Sequence, residues 1–256
     1  IAVQFAWAII IVVGMLILPE TPRYLIKSGK PEAAAKALSR LRRLDMDHPA
    51  LVEELSEITA NHEYELSLGK STYIDCFRGN LGKRLFTGCG LQALQQLSGV
   101  NFIFYYSTPF LQSTGAIDDT FLISLIFTLV NVCSTPISFW TVERFGRRPL
   151  LVWGALGMLI CQFLVAIIGV TVGFNHTHLD AEGNTIANNI AAVNAQIAFI
   201  AIFIFFFAST WGPGAWVVIG EIYPLPIRSR GVALSTASNW LWNCIIAVIT
   251  PYMVDA

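Results

Sequence analysis

Long apolar runs separated by short polar connections dominate the chain. Residues 1–18 are almost wholly apolar and stop at Leu18-Pro19-Glu20. Further apolar segments follow at about 84–112, 119–142, 149–173, 195–222 and 231–254, each near the ~20 residues a helix needs to cross a bilayer. Residues 19–83 differ: they hold most of the charge and two helical patterns. Pro31-Glu32 opens the first, where Ala33, Ala37, Leu38 and Leu41 alternate with Lys36, Arg40, Arg42 and Arg43 at helical spacing. Pro49 opens the second, with Leu51, Val52, Leu55 and Ile58 among Glu53, Glu54 and Glu57. The pattern predicts an all-α membrane protein. Its parts are the tail of a spanning helix over 1–18, a helical linker over 19–83 and a transmembrane bundle over 84–256.

The charge distribution orients these elements. All 16 Lys and Arg residues fall in three places: eleven between Arg23 and Arg84, three at Arg144, Arg147 and Arg148, and two at Arg228 and Arg230. The connections 113–118 and 174–194 have none and carry Asp118, Asp180 and Glu182 instead. The positive-inside rule makes the three basic connections cytoplasmic, the linker included. Asn175-His176-Thr177 then forms a glycosylation sequon in a predicted external loop, permissive evidence for sugar attachment at Asn175.

Composition narrows the function. The chain is 55% hydrophobic and 13% charged, with mean hydropathy +0.60, which no ordinary soluble domain shows. The five cysteines are scattered without paired or metal-ligand spacing and read as small apolar packing residues. No phosphate loop, nucleophile set or metal motif emerges. The expectation is no enzyme, no cofactor, no metal and no nucleic-acid partner. The chain starts and stops in apolar runs and is expected to be part of a longer multi-pass protein of the plasma membrane.

Within the apolar runs, polar side chains collect in 91–109, which holds Gln92, Gln95, Gln96, Asn101, Tyr105, Tyr106 and a flexible Gly99. An unpaired amide in hydrocarbon costs several kcal/mol, so such groups turn toward other helices or a watery cavity. Amides both donate and accept, and with aromatic neighbours they suit a neutral polyhydroxylated ligand: a sugar before an ion. Asn131 and Asn239-Trp240 add further amides and an indole. Trp211-Gly212-Pro213-Gly214-Ala215-Trp216 interrupts the span 195–222, which fits a broken helix at a midplane site or a static kink equally well. At 100° per residue Gln95 and Asn101 fall on different faces of one ideal helix. Either the helix breaks near Gly99, the reading favoured here, or Asn101 contacts a neighbour. Acid followed by arginine recurs at three turns: Glu20 with Arg23, Glu143 with Arg144, Arg147 and Arg148, and Glu221 with Arg228 and Arg230. Such pairs could act as a cytoplasmic latch, whereas a plain topogenic loop is the simpler account.

Taken together, Gln95-Gln96-Leu-Ser-Gly-Val-Asn101 with Tyr105-Tyr106, Pro19-Glu-Thr-Pro-Arg23, Glu143-Arg-x-Gly-Arg-Arg148, Trp216 with Glu221, and Asn239-Trp240 resemble the sugar porter family of the major facilitator superfamily, closest to fungal hexose transporters. The resemblance implies the C-terminal half of such a bundle plus its linker, from the sixth helix to the eleventh, with the N-terminal half elsewhere in the same chain. It implies sugar contacts at Gln95, Gln96, Asn101, Asn131, Trp216, Asn239 and Trp240, and an external gate at Tyr105 and Tyr106. The acid–arginine turns become its latch. The implied activity is movement of a monosaccharide, glucose foremost, by alternating access, with uniport and proton symport both open. The alternative is a transporter-like glucose sensor that binds and signals without transport. Ala208 stands where mammalian relatives carry an acid, and Gln92-Ala93-Leu94 lacks a serine of glucose-selective relatives, so the preferred hexose stays open.

Overall fold

The computed structural model describes residues 2–67, 72–113, 120–173, 177–179, 185–187 and 190–254. Its contacts divide the chain into two units, 1–71 and 72–256.

The first unit holds α1 (Ala2–Ile17), α2 (Pro22–Lys27), α3 (Pro31–Arg42) and α4 (Pro49–Ser67). Proline at the first turn of α2 and α3 supplies a pre-set φ where no N–H is needed. Glu32 near the start and Arg40 and Arg42 near the end of α3 complement its dipole, and Arg43 ends it in the left-handed region at φ 57°. Ala34, Ala37 and Leu38 of α3 and Leu51 of α4 are buried. Arg42 grips Glu54 through Nε and a terminal nitrogen at 3.0 and 2.9 Å, and that hydrogen-bonded pairing holds the Glu54 carboxyl below the ordinary carboxylate range. Arg23 pairs with Glu65. Both pairs are exposed and screened, so the apolar contacts carry the unit.

The second unit opens on a 3-10 turn, Ile74–Phe77. Thr72 donates both its backbone N–H and its hydroxyl to Asp75, at 2.6 and 2.7 Å, and these bonds lower the Asp75 pKa. The turn buries Cys76 against Leu85, Ile219, Tyr223 and Ile227. Residues 72–83, expected in the linker, therefore pack with the bundle: a hydrophobic anchor sits inside a charged stretch.

The bundle comprises α5 (Gly79–Leu97), α6 (Val100–Ser113), α7 (Thr120–Phe145), α8 (Arg147–Ile168), α9 (Ile190–Phe206), α10 (Gly212–Ile222) and α11 (Arg228–Val254). An antiparallel pair, β1 (Thr177–Leu179) and β2 (Thr185–Ala187), lies between α8 and α9 with Thr177 opposite Ala187. This is a small departure from a purely helical expectation. The run 84–112 is two helices rather than one span, because Gly99 adopts φ +92°, which a side chain would strain. Four stretches remain long and apolar enough to cross a membrane, among them Phe121–Phe145 and Arg147–Thr171. Only 11–22% of their apolar windows is buried inside the structure, so their outward faces need lipid to cover them.

α5 packs on α11 and α8 on α9. Val100, Ile103, Phe127, Met158, Cys161, Phe203 and Ile204 fill one core. Small residues let the helices close, as is common in bilayers where no hydrophobic force draws helices together. Gly88 lies against the hydroxyls of Tyr223 and Ser235, themselves 2.7 Å apart, and Gly154 lies against Thr210. Gly154→Leu would place a side chain where a stiff β-branched residue already sits. We expect a loss of about 1–3 kcal/mol, visible as a lower thermal midpoint of the detergent-purified full-length protein; an unchanged midpoint would remove Gly154 from the packing argument.

Candidate functional site

The break at Gly99 and the interruption at Trp211–Gly214 meet. α9 runs into a π turn, Phe207–Trp211, before α10 resumes at Gly212. Pro213 has no N–H for the carbonyl one turn earlier, and Thr141 of α7 donates its hydroxyl to Ser209 O at 3.4 Å. The carbonyls of Trp211 and Gly212 are met by Gln95, whose Nε2 donates to both at 2.9 Å. Thr141 thus meets the carbonyl that Pro213 leaves without its helical donor, and Gln95 adds a tie from α5 to the start of α10.

Around this junction six amides interlock. Asn239 Nδ2 donates to Gln92 Oε1 at 2.7 Å and to Gln95 Oε1 at 2.9 Å. Gln96 Oε1 accepts from Asn101 and, at 3.2 Å, from Asn243, whose Nδ2 also reaches Asn101 Oδ1 at 3.3 Å. Asn101 is therefore reached both ways: the chain breaks at Gly99, and its side chain contacts neighbours. Gln92, Gln95, Asn101 and Asn239 are all buried, Gln92 completely. Gln92 Nε2 has no hydrogen-bond partner among the described residues, and such an orphan costs about 1–3 kcal/mol until something accepts from it.

Of the residues expected here, Gln95, Gln96, Asn101 and Asn239 come together. Asn131 is half-buried on α7, and no hydrogen bond joins it to the six amides among the described residues. Trp216 and Trp240 are 43% and 65% exposed. Trp211 is the half-buried indole; its Nε1 donates to Leu151 O at 2.8 Å. With Ser98, Met158, Gln162 and Phe203 it lines a mostly apolar cavity of about 330 Å³ beside the break. Tyr106 donates its hydroxyl to Ala247 O at 3.1 Å, whereas Tyr105 is exposed. Gln92 and Asn243 were not assigned from sequence, although Gln92, Gln95 and Gln96 follow i, i+3, i+4 spacing and Asn239 and Asn243 follow i, i+4.

At the arginine-bearing ends the pairing crosses turns. Arg147 grips Glu221 through two bonds of 3.0 and 2.6 Å, joining α8 to α10. Arg144 instead lies over the Trp140 ring at 5.7 Å, Arg230 over Tyr73 at 5.7 Å, and Arg228 donates to Tyr223 O. Glu143 and Arg148 are exposed and make no ion pair within 4 Å among the described residues. In the first unit Glu20 accepts from its neighbour Thr21 N, and Arg23 goes to Glu65 rather than to Glu20. Asn175 lies outside the described residues. Arg147 and Glu221 are 43% and 52% exposed, so solvent screens the pair.

Residues 1–256 match a family model described as "Sugar (and other) transporter". The chain belongs to that family. It is 55% identical over 255 residues to the major facilitator-type transporter ecdD of Aspergillus rugulosus, covering 100% of this chain and 46% of that protein. It is 52% identical to the probable glucose transporter rco-3 of Neurospora crassa, covering 99% of this chain and 41% of that one. Among solved structures, the proton:xylose symporter XylE bound to 6-bromo-6-deoxy-D-glucose superposes with a TM-score of 0.69 at 27% identity, over 96% of this chain and 46% of that one. The chain thus spans less than half the length of the relatives it matches. Family, fold and apolar spans together make it part of a multi-pass integral membrane protein, in a family of transporters.

Proposed function

We propose that the full-length protein carries a monosaccharide, glucose foremost, across the plasma membrane by alternating access. The observation that carries this reading is the set of six neutral amides, four of them buried, at the meeting of two broken membrane helices. Sugar hydroxyls can replace the bonds the amides now make to one another, and the orphaned Gln92 Nε2 is a donor already waiting. The relatives named for glucose and xylose support that ligand class. The basic turns would face the cytoplasm, where the Arg147–Glu221 pair breaks as that side opens. Tyr105 and Tyr106 would stand at the opposite mouth. No covalent chemistry is needed, since a carrier has only to bind in both states and bias their equilibrium.

The test is radiolabelled glucose uptake by the full-length protein in cells stripped of their own hexose carriers, with external pH followed in parallel. Uptake is the expected result. Alkalinisation alongside it would identify proton symport, and a flat pH would identify a uniporter. Glucose binding without uptake would favour the sensor reading instead. In the same cells Gln95→Ala should raise the KM for glucose at least tenfold with normal membrane insertion; an unchanged KM would remove the amides from the site. Arg147→Ala should lower the maximal rate more than it alters KM, and a pure loss of affinity would count against the latch.

A further inference from the structure

Among the described residues, side-chain hydrogen bonds join α5 to α10 at two places, beside the apolar packing of Leu85 on Ile219, and only one of them belongs to the amide cluster. Near the start of α5, Arg84 donates from a terminal nitrogen to Ile222 O at 2.8 Å. Ile222 is the last residue of α10, and Tyr223 leaves the helix in an extended conformation at φ −93°, ψ 135°. Its carbonyl is among those that a helix cannot satisfy internally, so Arg84 caps α10 from another helix. Near the far end of α5, Gln95 holds the carbonyls of Trp211 and Gly212 at the start of α10. The helices therefore run antiparallel with an attachment at each end.

The spacing matches. From Arg84 to Gln95 is about 16 Å along α5, and from Gly212 to Ile222 about 15 Å along α10, at ~1.5 Å per residue. Both bonds fall in register without either helix bending. Their chemistry differs. The Gln95 bond is made by the side chain that, on the transport reading, must turn to a sugar hydroxyl. The Arg84 bond runs from a permanently charged guanidinium to a backbone carbonyl, uses no group of the site and involves no titratable acid.

We propose that Arg84 is a positioning residue for transport: it is the fixed pivot of α10 while Gln95 is the releasable tie. When Gln95 leaves the Trp211 and Gly212 carbonyls, the start of α10 is freed at the π turn and Pro213, and its end stays held at Ile222. The motion becomes a swing about one end rather than a detachment of the helix. This inference rests on the transport reading for its timing, but the attachment itself can be tested without sugar.

The experiment places spin labels at Lys83→Cys and Leu225→Cys, both exposed positions, in the full-length protein lacking reactive cysteines, and reads the distance distribution between them. Without sugar, the parent protein should give a narrow distribution, Arg84→Ala a broad one, and Arg84→Lys, which keeps one donor, an intermediate one. Saturating glucose should leave the parent distribution in place. In uptake normalised to folded protein at the cell surface, Arg84→Ala should lower turnover about tenfold with the glucose KM within about twofold, and Arg84→Lys should restore part of it; general destabilisation lowers the amount of carrier but not its normalised turnover. An equally narrow distribution in Arg84→Ala would overturn the pivot, as would a glucose-driven shift of the 83–225 distance in the parent. Absence of any glucose-binding heat would count against the sugar reading alone, because the sugar-free comparison still reports on the attachment.

Discussion

A buried amide at membrane depth must find partners within the protein, and Gln95 finds them on two helices. Its Nε2 satisfies two carbonyls at the start of α10 while its Oε1 accepts from Asn239 of α11. Removing that side chain would take a second bond from the two carbonyls and leave Asn239 with Gln92 alone. The interrupted helix at Trp211–Gly214 is tolerable because Thr141 attends to Ser209 O, the carbonyl one turn before Pro213, while Gln95 ties the start of α10 to α5. The break at Gly99 places Asn101 within reach of Gln96 and Asn243. Breaks and amides are therefore one arrangement: each irregularity in the backbone is matched by a side chain that compensates for it.

Hydrophobic periodicity and charge asymmetry made the spans and the charged linker legible from sequence, because a bilayer leaves few alternatives. Gly99 could be named as a break because one residue type there relieved a contradiction between Gln95 and Asn101. What sequence did not give was partner choice. Arg147 reaches across 74 positions to Glu221 although Glu143 lies four residues away, and Arg23 passes over Glu20 for Glu65. Local spacing favours neighbours, but helix packing decides which carboxylate a guanidinium can grip with both nitrogens. Asn243 was hidden, and Gln92 was named among the amides without a contact, for a related reason: their spacing marks a face, and only packing α5 against α11 reveals that the two faces meet.

The tryptophans differ in how they are held. Trp216 and Trp240 are chemically suited to a sugar ring, and both present exposed indoles. Trp211, adjacent to the break, is fixed through its indole N–H to Leu151. An indole whose only donor is bonded to a backbone carbonyl is a wall, able to offer its face but not free to follow a ligand.

The state of the amides also bears on how tightly a sugar can be held. Among the described residues, five of the six amides bond to one another or to backbone with no orphan among their buried atoms, and Gln92 Nε2 is left over. An entering hydroxyl must then exchange bonds rather than add them. The net gain per exchange is small, of order 1 kcal/mol or less, with Gln92 the exception because its present bonding leaves a penalty to be relieved. On the proposed transport reading, a site built this way would bind modestly and release easily, as a carrier that must let go on the far side requires. The same reading would share out the roles of two glutamines on one helix face: Gln92 would contribute to binding by ending an unsatisfied state, and Gln95 to motion by giving up a satisfied one.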